Sequence, residues 1–178
     1  MSNFYPAEFF SWAFRLFLAQ GVNLLFLLLN VVSFSMPHAG DFKPFFLLMA
    51  VYYWAIYRPT VMPSFYTFFL GIIMDLQTGL PLGLSALTLV GLQMIVRRSR
   101  LFLMGQPYIT VWIGFGVLAM ANAVFVWLVV SVFSTMMSLK PSMIAAFFSI
   151  LLFPLASLAL QGVHRLMPAS SAPHRMSA

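Results

Sequence analysis

Cysteine is missing altogether, acidic residues number three, and charged residues of either sign make up only 7% of the 178 residues. The missing cysteine removes disulfides, thiolate metal sites and a cysteine nucleophile. The scarcity of charge excludes something larger. An ordinary water-soluble domain carries about 25% charged residues, whereas this chain is 62% hydrophobic with a mean hydropathy of +0.99, so its surface has to face lipid. The length allows one domain, and at ~20 apolar residues per crossing about six spans use up most of it. The expected class is all-α: a polytopic integral membrane protein, with 1–166 as a single transmembrane helical domain and 167–178, "MPASSAPHRMSA", as a disordered cytoplasmic tail.

The net charge of +6 does not point to nucleic acid, because the cations stand in ones and twos between apolar runs, apart from Arg97, Arg98 and Arg100. They read as topogenic signals, retained on the cytoplasmic side of a membrane. Six spans are expected at roughly 16–36, 45–57, 63–75, 81–96, 108–133 and 142–166, the second and third short enough to be re-entrant. The first is too long for a signal-peptide core, and Pro154 inside the sixth removes one backbone bond. With both termini inside (N-in/C-in), the inner segments hold Arg15, Arg58, Arg97, Arg98, Arg100, Arg165 and Arg175 and the outer ones only Lys43 and Lys140. Tyr52, Tyr53, Trp54, Tyr57, Tyr108 and Trp112 crowd the inner ends, as interfacial anchors do.

Against that apolar background the stretch "LGIIMDLQTGLPLGLSAL" is conspicuous, since it places an aspartate, Asp75, at the outer end of the third span. A helix C-terminus disfavours a carboxylate, so something has to compensate. Backbone N–H groups of the following "LQTGLP" turn are one candidate, with Gly79 free to take positive φ and Pro81 suited to start the fourth span. Lys43 and Lys140 are the other. On the first reading Asp75 staples the hairpin of spans three and four, and Asp75→Asn is expected to be mild; an ion site or a partner contact are the alternatives. Ser64, Thr67, Gly71 and Asp75 form a small, polar stripe on one helix face, and Gly116, Ala119 and Ala123 form another, both of the kind that lets helices pack closely. In span one, Gln20, Asn23 and Asn30 share a face, and amides in hydrocarbon need partners, inside the bundle or on another protein's helix.

Catalysis finds no support. His38 and Asp41 lack a third member, His164 and His174 lie at the opposite end, and no nucleophile, base and orienter come together. No metal site or cofactor is expected, and no ionisable residue falls at a span midplane, as a proton or ion pump would require.

The stretch "FKPFFLLMAVYYWAIYRPTVMPSFYTFFLGIIMDLQTGLPLGLSALTLV" resembles the rod shape-determining protein MreD family in its short aromatic second span, its basic-proline turn and its Gly71, Asp75, Gly79, Gly83 pattern. Chain length and the six-span plan fit as well. The resemblance implies a non-catalytic scaffold of the bacterial cell-elongation machinery in the cytoplasmic (inner) membrane. Such a scaffold pairs with an MreC-like bitopic membrane protein and links MreB filaments to lateral-wall peptidoglycan synthesis, with RodA and a class B penicillin-binding protein as indirect partners and no nucleic acid. It also implies a fold similar to the S-component of energy-coupling-factor transporters, which makes a vitamin-binding component the alternative. Those components carry a small-residue alanine pattern on span one, and the pair Ala19 and Asn23 departs from it.

Overall fold

The computed structural model describes residues 6–36, 40–133 and 139–166, and places them in seven helices and one small hairpin. In chain order these are α1 (Pro6–Leu29), β1 (Phe34–Met36), β2 (Gly40–Phe42), α2 (Phe46–Tyr57), α3 (Ser64–Thr78), α4 (Leu84–Arg98), α5 (Arg100–Met104), α6 (Tyr108–Phe133) and α7 (Lys140–Leu166). The expected tail at 167–178 lies outside the described residues, as does His38.

α2 is the axis of the fold. It has 12 residues, and the ten from Leu47 to Ile56 are buried. A helix that is apolar all round belongs in an interior, and α1, α4, α6 and α7 enclose this one. At 1.5 Å per residue it is ~18 Å long, too short to cross a bilayer unaided, but its polar backbone ends meet protein instead of lipid. Its hydroxyl and indole groups are paired: Tyr52 Oη donates to the Val111 carbonyl (2.9 Å) and Trp54 Nε1 to Asn23 Oδ1 (2.8 Å).

α6 and α7 are both long and apolar enough to cross a membrane, over Tyr108–Val132 and Lys140–Arg165. α7 continues through Pro154. A proline inside a helix leaves the carbonyl four residues earlier without its donor, and here Trp112 Nε1 takes that carbonyl, of Ile150, at 2.8 Å. Large apolar side chains such as Phe17, Phe65, Leu87, Ile113, Leu151 and Leu158 stay exposed around the bundle, a surface suited to hydrocarbon.

Several boundaries differ from the sequence expectation. α1 ends at Leu29, not Met36: Asn30 Nδ2 donates to the Phe26 carbonyl (3.0 Å), and the amides of Asn30, Val31 and Val32 fold back on Leu27, Leu28 and Leu29, which closes the last turn. The chain then pairs β1 with β2 antiparallel, Ser35 opposite Asp41, and Phe42 stacks on Phe148 of α7 at 4.8 Å. α4 does not begin at Pro81. That proline sits in the preceding turn, where its carbonyl accepts the Leu84 amide at 3.1 Å. α4 does end within "RRSR", at Arg98, and a short helix that the expected spans did not include, α5, follows from Arg100.

Candidate functional site

α3 and α4 run antiparallel, and each end of the pair is held by a charged side chain. At the first end, α3 closes on Gly79, whose φ of 69° is left-handed and whose amide donates to the Asp75 carbonyl at 2.9 Å. The Asp75 side chain then reaches past the turn. Its Oδ2 accepts the Gly83 amide (2.8 Å) and its Oδ1 the Ser85 amide (2.9 Å), with the residue fully buried. Gly83 holds φ at 94°, a conformation glycine adopts without a Cβ penalty.

This geometry answers why an aspartate stands at an unfavourable helix end. The first amides of a helix lack intrahelical partners and carry partial positive charge, so α4 supplies what α3 withholds. The donors, the amides of Gly83 and Ser85, therefore come from the N-terminus of α4, just beyond the "LQTGLP" turn that the sequence suggested. Each oxygen serves a different amide, and an asparagine would set its NH₂ against one of them. From this geometry Asp75→Asn is expected to cost more than the mild loss that the sequence suggested. The small stripe on α3 has an identified neighbour too: a Cβ added to Gly71 would lie 2.3 Å from Ala86 Cα and 2.7 Å from Ala86 N, so α3 and α4 touch backbone to backbone. Thr67, on the same face, is fully buried.

At the second end, the turn from α2 to α3 is held by four side chains from three elements. Arg97 Nη2 donates to the carbonyls of Pro59 (3.0 Å) and Met62 (2.7 Å), and its Nη1 to Ser64 Oγ (3.3 Å). Gln93 Nε2 adds a second donor to Met62 at 2.7 Å, Gln20 Nε2 takes Val61 at 2.7 Å, and Arg100 Nε takes Ile56 at 2.7 Å. Cations suit carbonyls at the C-terminus of a helix, and α2 ends there. Arg58 belongs to the same end, donating from Nε to His164 Nε2 (3.2 Å), while Tyr53 Oη meets His164 Nδ1 at 3.2 Å. So Arg58, Arg97, Arg98, Arg100 and Arg165 gather at one end of the bundle, and Asp75 lies at the other.

The amides of span one are satisfied within the bundle. Besides the Gln20 bond, Asn23 Nδ2 donates to Gln20 Oε1 (3.2 Å), and Asn23 Oδ1 accepts Trp54. Asn122, half-buried on α6, differs: it has no hydrogen-bond partner among the described residues. Sequence reasoning missed Gln93, the Arg97 clamp and the Tyr53–His164–Arg58 contact. A usable signal existed for the first two, because Gln93 and Arg97 stand four residues apart on one helix face. Contacts from α2 to α7 span more than a hundred residues and left no local trace. Among the described residues, no three His, Cys, Asp or Glu side chains gather as a metal site. At both ends most of these side-chain bonds go to backbone groups.

Compared with known proteins, residues 13–161 match the family model described as rod shape-determining protein MreD. No curated protein and no solved structure matches the chain.

Proposed function

The chain belongs to the MreD family, and from that premise we propose that it is a non-catalytic, multi-pass scaffold of the cell-elongation machinery in the bacterial cytoplasmic membrane. Family membership points to a membrane protein that acts in rod-shape determination, and the match over 13–161 is the observation that carries the reading. On it, α1, α2, α3, α4, α6 and α7 make six crossings with the arginine end inside. The gathering of five arginines at one end supports that orientation through the retention of cations on the cytoplasmic side.

A scaffold needs a fixed shape and a free contact. The clamps at both ends of α3 and α4 favour the first. Asn122 favours the second, since an amide unpaired in hydrocarbon is satisfied by a neighbouring helix. The proposed direct partner is an MreC-like bitopic membrane protein, and through it MreB, RodA and a class B penicillin-binding protein. The family match lends no support to the vitamin-transporter alternative, and the space between Leu48, Tyr52, Leu92 and Phe115 is too small to admit a water molecule.

Two experiments test the reading. The chain has no native cysteine, so Ser99→Cys should resist impermeant thiol reagents in intact cells while Ser138→Cys is labelled from outside; labelling of Ser99→Cys would reverse the orientation. The purified protein should bring down a bitopic membrane protein and lose it in Asn122→Leu. Stoichiometric retention of thiamine, biotin or riboflavin through purification would sink the scaffold reading.

A further inference from the structure

The arginines at the second end differ in what they have left to give. Arg97 is taken by the Pro59 and Met62 carbonyls, and Arg58 engages His164. Arg100 uses only Nε on Ile56, one of five donors on a guanidinium. Arg98 is exposed and has no partner among the described residues. Counter-ions are scarce. Of the three acidic residues in the chain, Asp75 is bound at the opposite end, Asp41 lies in β2 beside the N-terminal half of α7, and Glu8 stands twelve residues before Gln20 on α1. That is ~18 Å further along the helix than the contact of Gln20 with the turn.

Next to these cations lies an apolar ledge. In α5, Leu103 packs against the core, while Leu101 is 87% and Phe102 65% exposed. Adjacent cations and exposed apolar side chains on a short helix match the boundary between headgroups and acyl chains. Water would not favour Leu101 there, and a free phosphate ion would have no use for it.

We propose that this end of the bundle binds an anionic phospholipid, with Arg98 and Arg100 on the headgroup phosphate and Leu101 and Phe102 beneath the acyl chains. The site rests on reading the chain as a multi-pass membrane protein. Both Arg98 and Leu101 are exposed, so substituting either leaves the packing of the bundle intact.

The test uses the full chain in nanodiscs of phosphatidylcholine mixed with phosphatidylglycerol, with the lipids retained after detergent extraction identified by native mass spectrometry. Wild type should enrich phosphatidylglycerol roughly fivefold. Arg98→Gln should cut that by about half with Arg100 still in place, Leu101→Ser should lower it, and Lys43→Gln, at the other end, should leave it unchanged. Unaltered enrichment in Arg98→Gln overturns the site. So does displacement of the lipid by an equal concentration of glycerol 3-phosphate, which would mark a site for soluble phosphate. Arg98→Gln losing a co-purifying acidic protein while keeping its lipid would make this end a protein contact, and also overturns it. A chain that fails to stay in the nanodisc overturns the membrane reading instead, an outcome distinct from a chain that stays but shows no lipid preference.

Discussion

The two antiparallel helix pairs of this bundle solve the same problem differently. α3 and α4, 15 residues each, have a short seam, and they are fixed at its ends: Asp75 caps α4, and Arg97 ties α4 back to the start of α3. α6 and α7, 26 and 27 residues long, are held along their length by small buried side chains, Ala119, Ala123, Ala145 and Ala146. To these are added the Trp112 bond and a hydroxyl pair between Tyr108 and Ser157 at 2.6 Å. Glycine marks the contrast. Gly71 meets Ala86 backbone, whereas a Cβ at Gly116 would meet the Ile150 side chain at an ordinary 3.5 Å. Where a seam is too short for dispersion to fix its geometry, directed bonds at the ends do so; where it is long, packing suffices.

The sharpest test of that contrast is the same substitution in each pair. Gly71→Ala should force α3 and α4 apart and cost about 3 kcal/mol, at the upper end of overpacking penalties, seen as a large drop in thermal unfolding temperature in detergent. Gly116→Ala should be neutral or stabilising by up to about 1 kcal/mol, since alanine favours helix. Equal losses would erase the distinction. Next comes the first clamp. Asp75→Leu leaves two amides unpaired, at about 1 to 3 kcal/mol each before relaxation, and Asp75→Asn should fall midway. If Asn matched Leu, charge and not the pair of acceptor oxygens would be what matters. Arg97→Gln, at the second clamp, should cost about 1 to 2 kcal/mol and raise protease cleavage within 59–63, because the turn loses its donors. Smallest should be Trp112→Phe in the long pair, about 0.6 kcal/mol, the typical value of a single interhelical bond in a membrane protein. A Trp112→Phe loss larger than that of Arg97→Gln would mean that the long pair depends on directed bonds as well.

Hydropathy made the helices legible, because apolar runs of this length are stable in lipid only as helices. The segregation of arginine from Asp75 could also be read, since it depends on the order of charges between spans. That Asp75 bridges to the next helix was partly readable: the chemistry called for backbone amides, but turn residues and helix N-terminal residues both offer them, and only the path of the chain after Gly79 chooses. The end of α1 was not readable from hydropathy, since Val31, Val32 and Phe34 are as apolar as the helix before them. Asn30 closes the helix by a local bond that transfer scales do not measure. The central place of α2 was equally hidden, because a 12-residue apolar run reads alike whether lipid or protein surrounds it.

The enclosure of α2 also sets a timetable. A chain made from its N-terminus completes Tyr57 83 residues before it reaches Lys140, and at roughly 5 to 20 residues per second that is a wait of about 4 to 17 s before α7 begins. Through that interval Trp54 already has Asn23 on α1, Tyr52 gains Val111 only once α6 has been made, and Tyr53 still lacks His164. α1 is therefore the chaperone that the chain carries for its own axis, and a truncation of α1 should expose α2 to quality-control proteases while it is still attached to the ribosome.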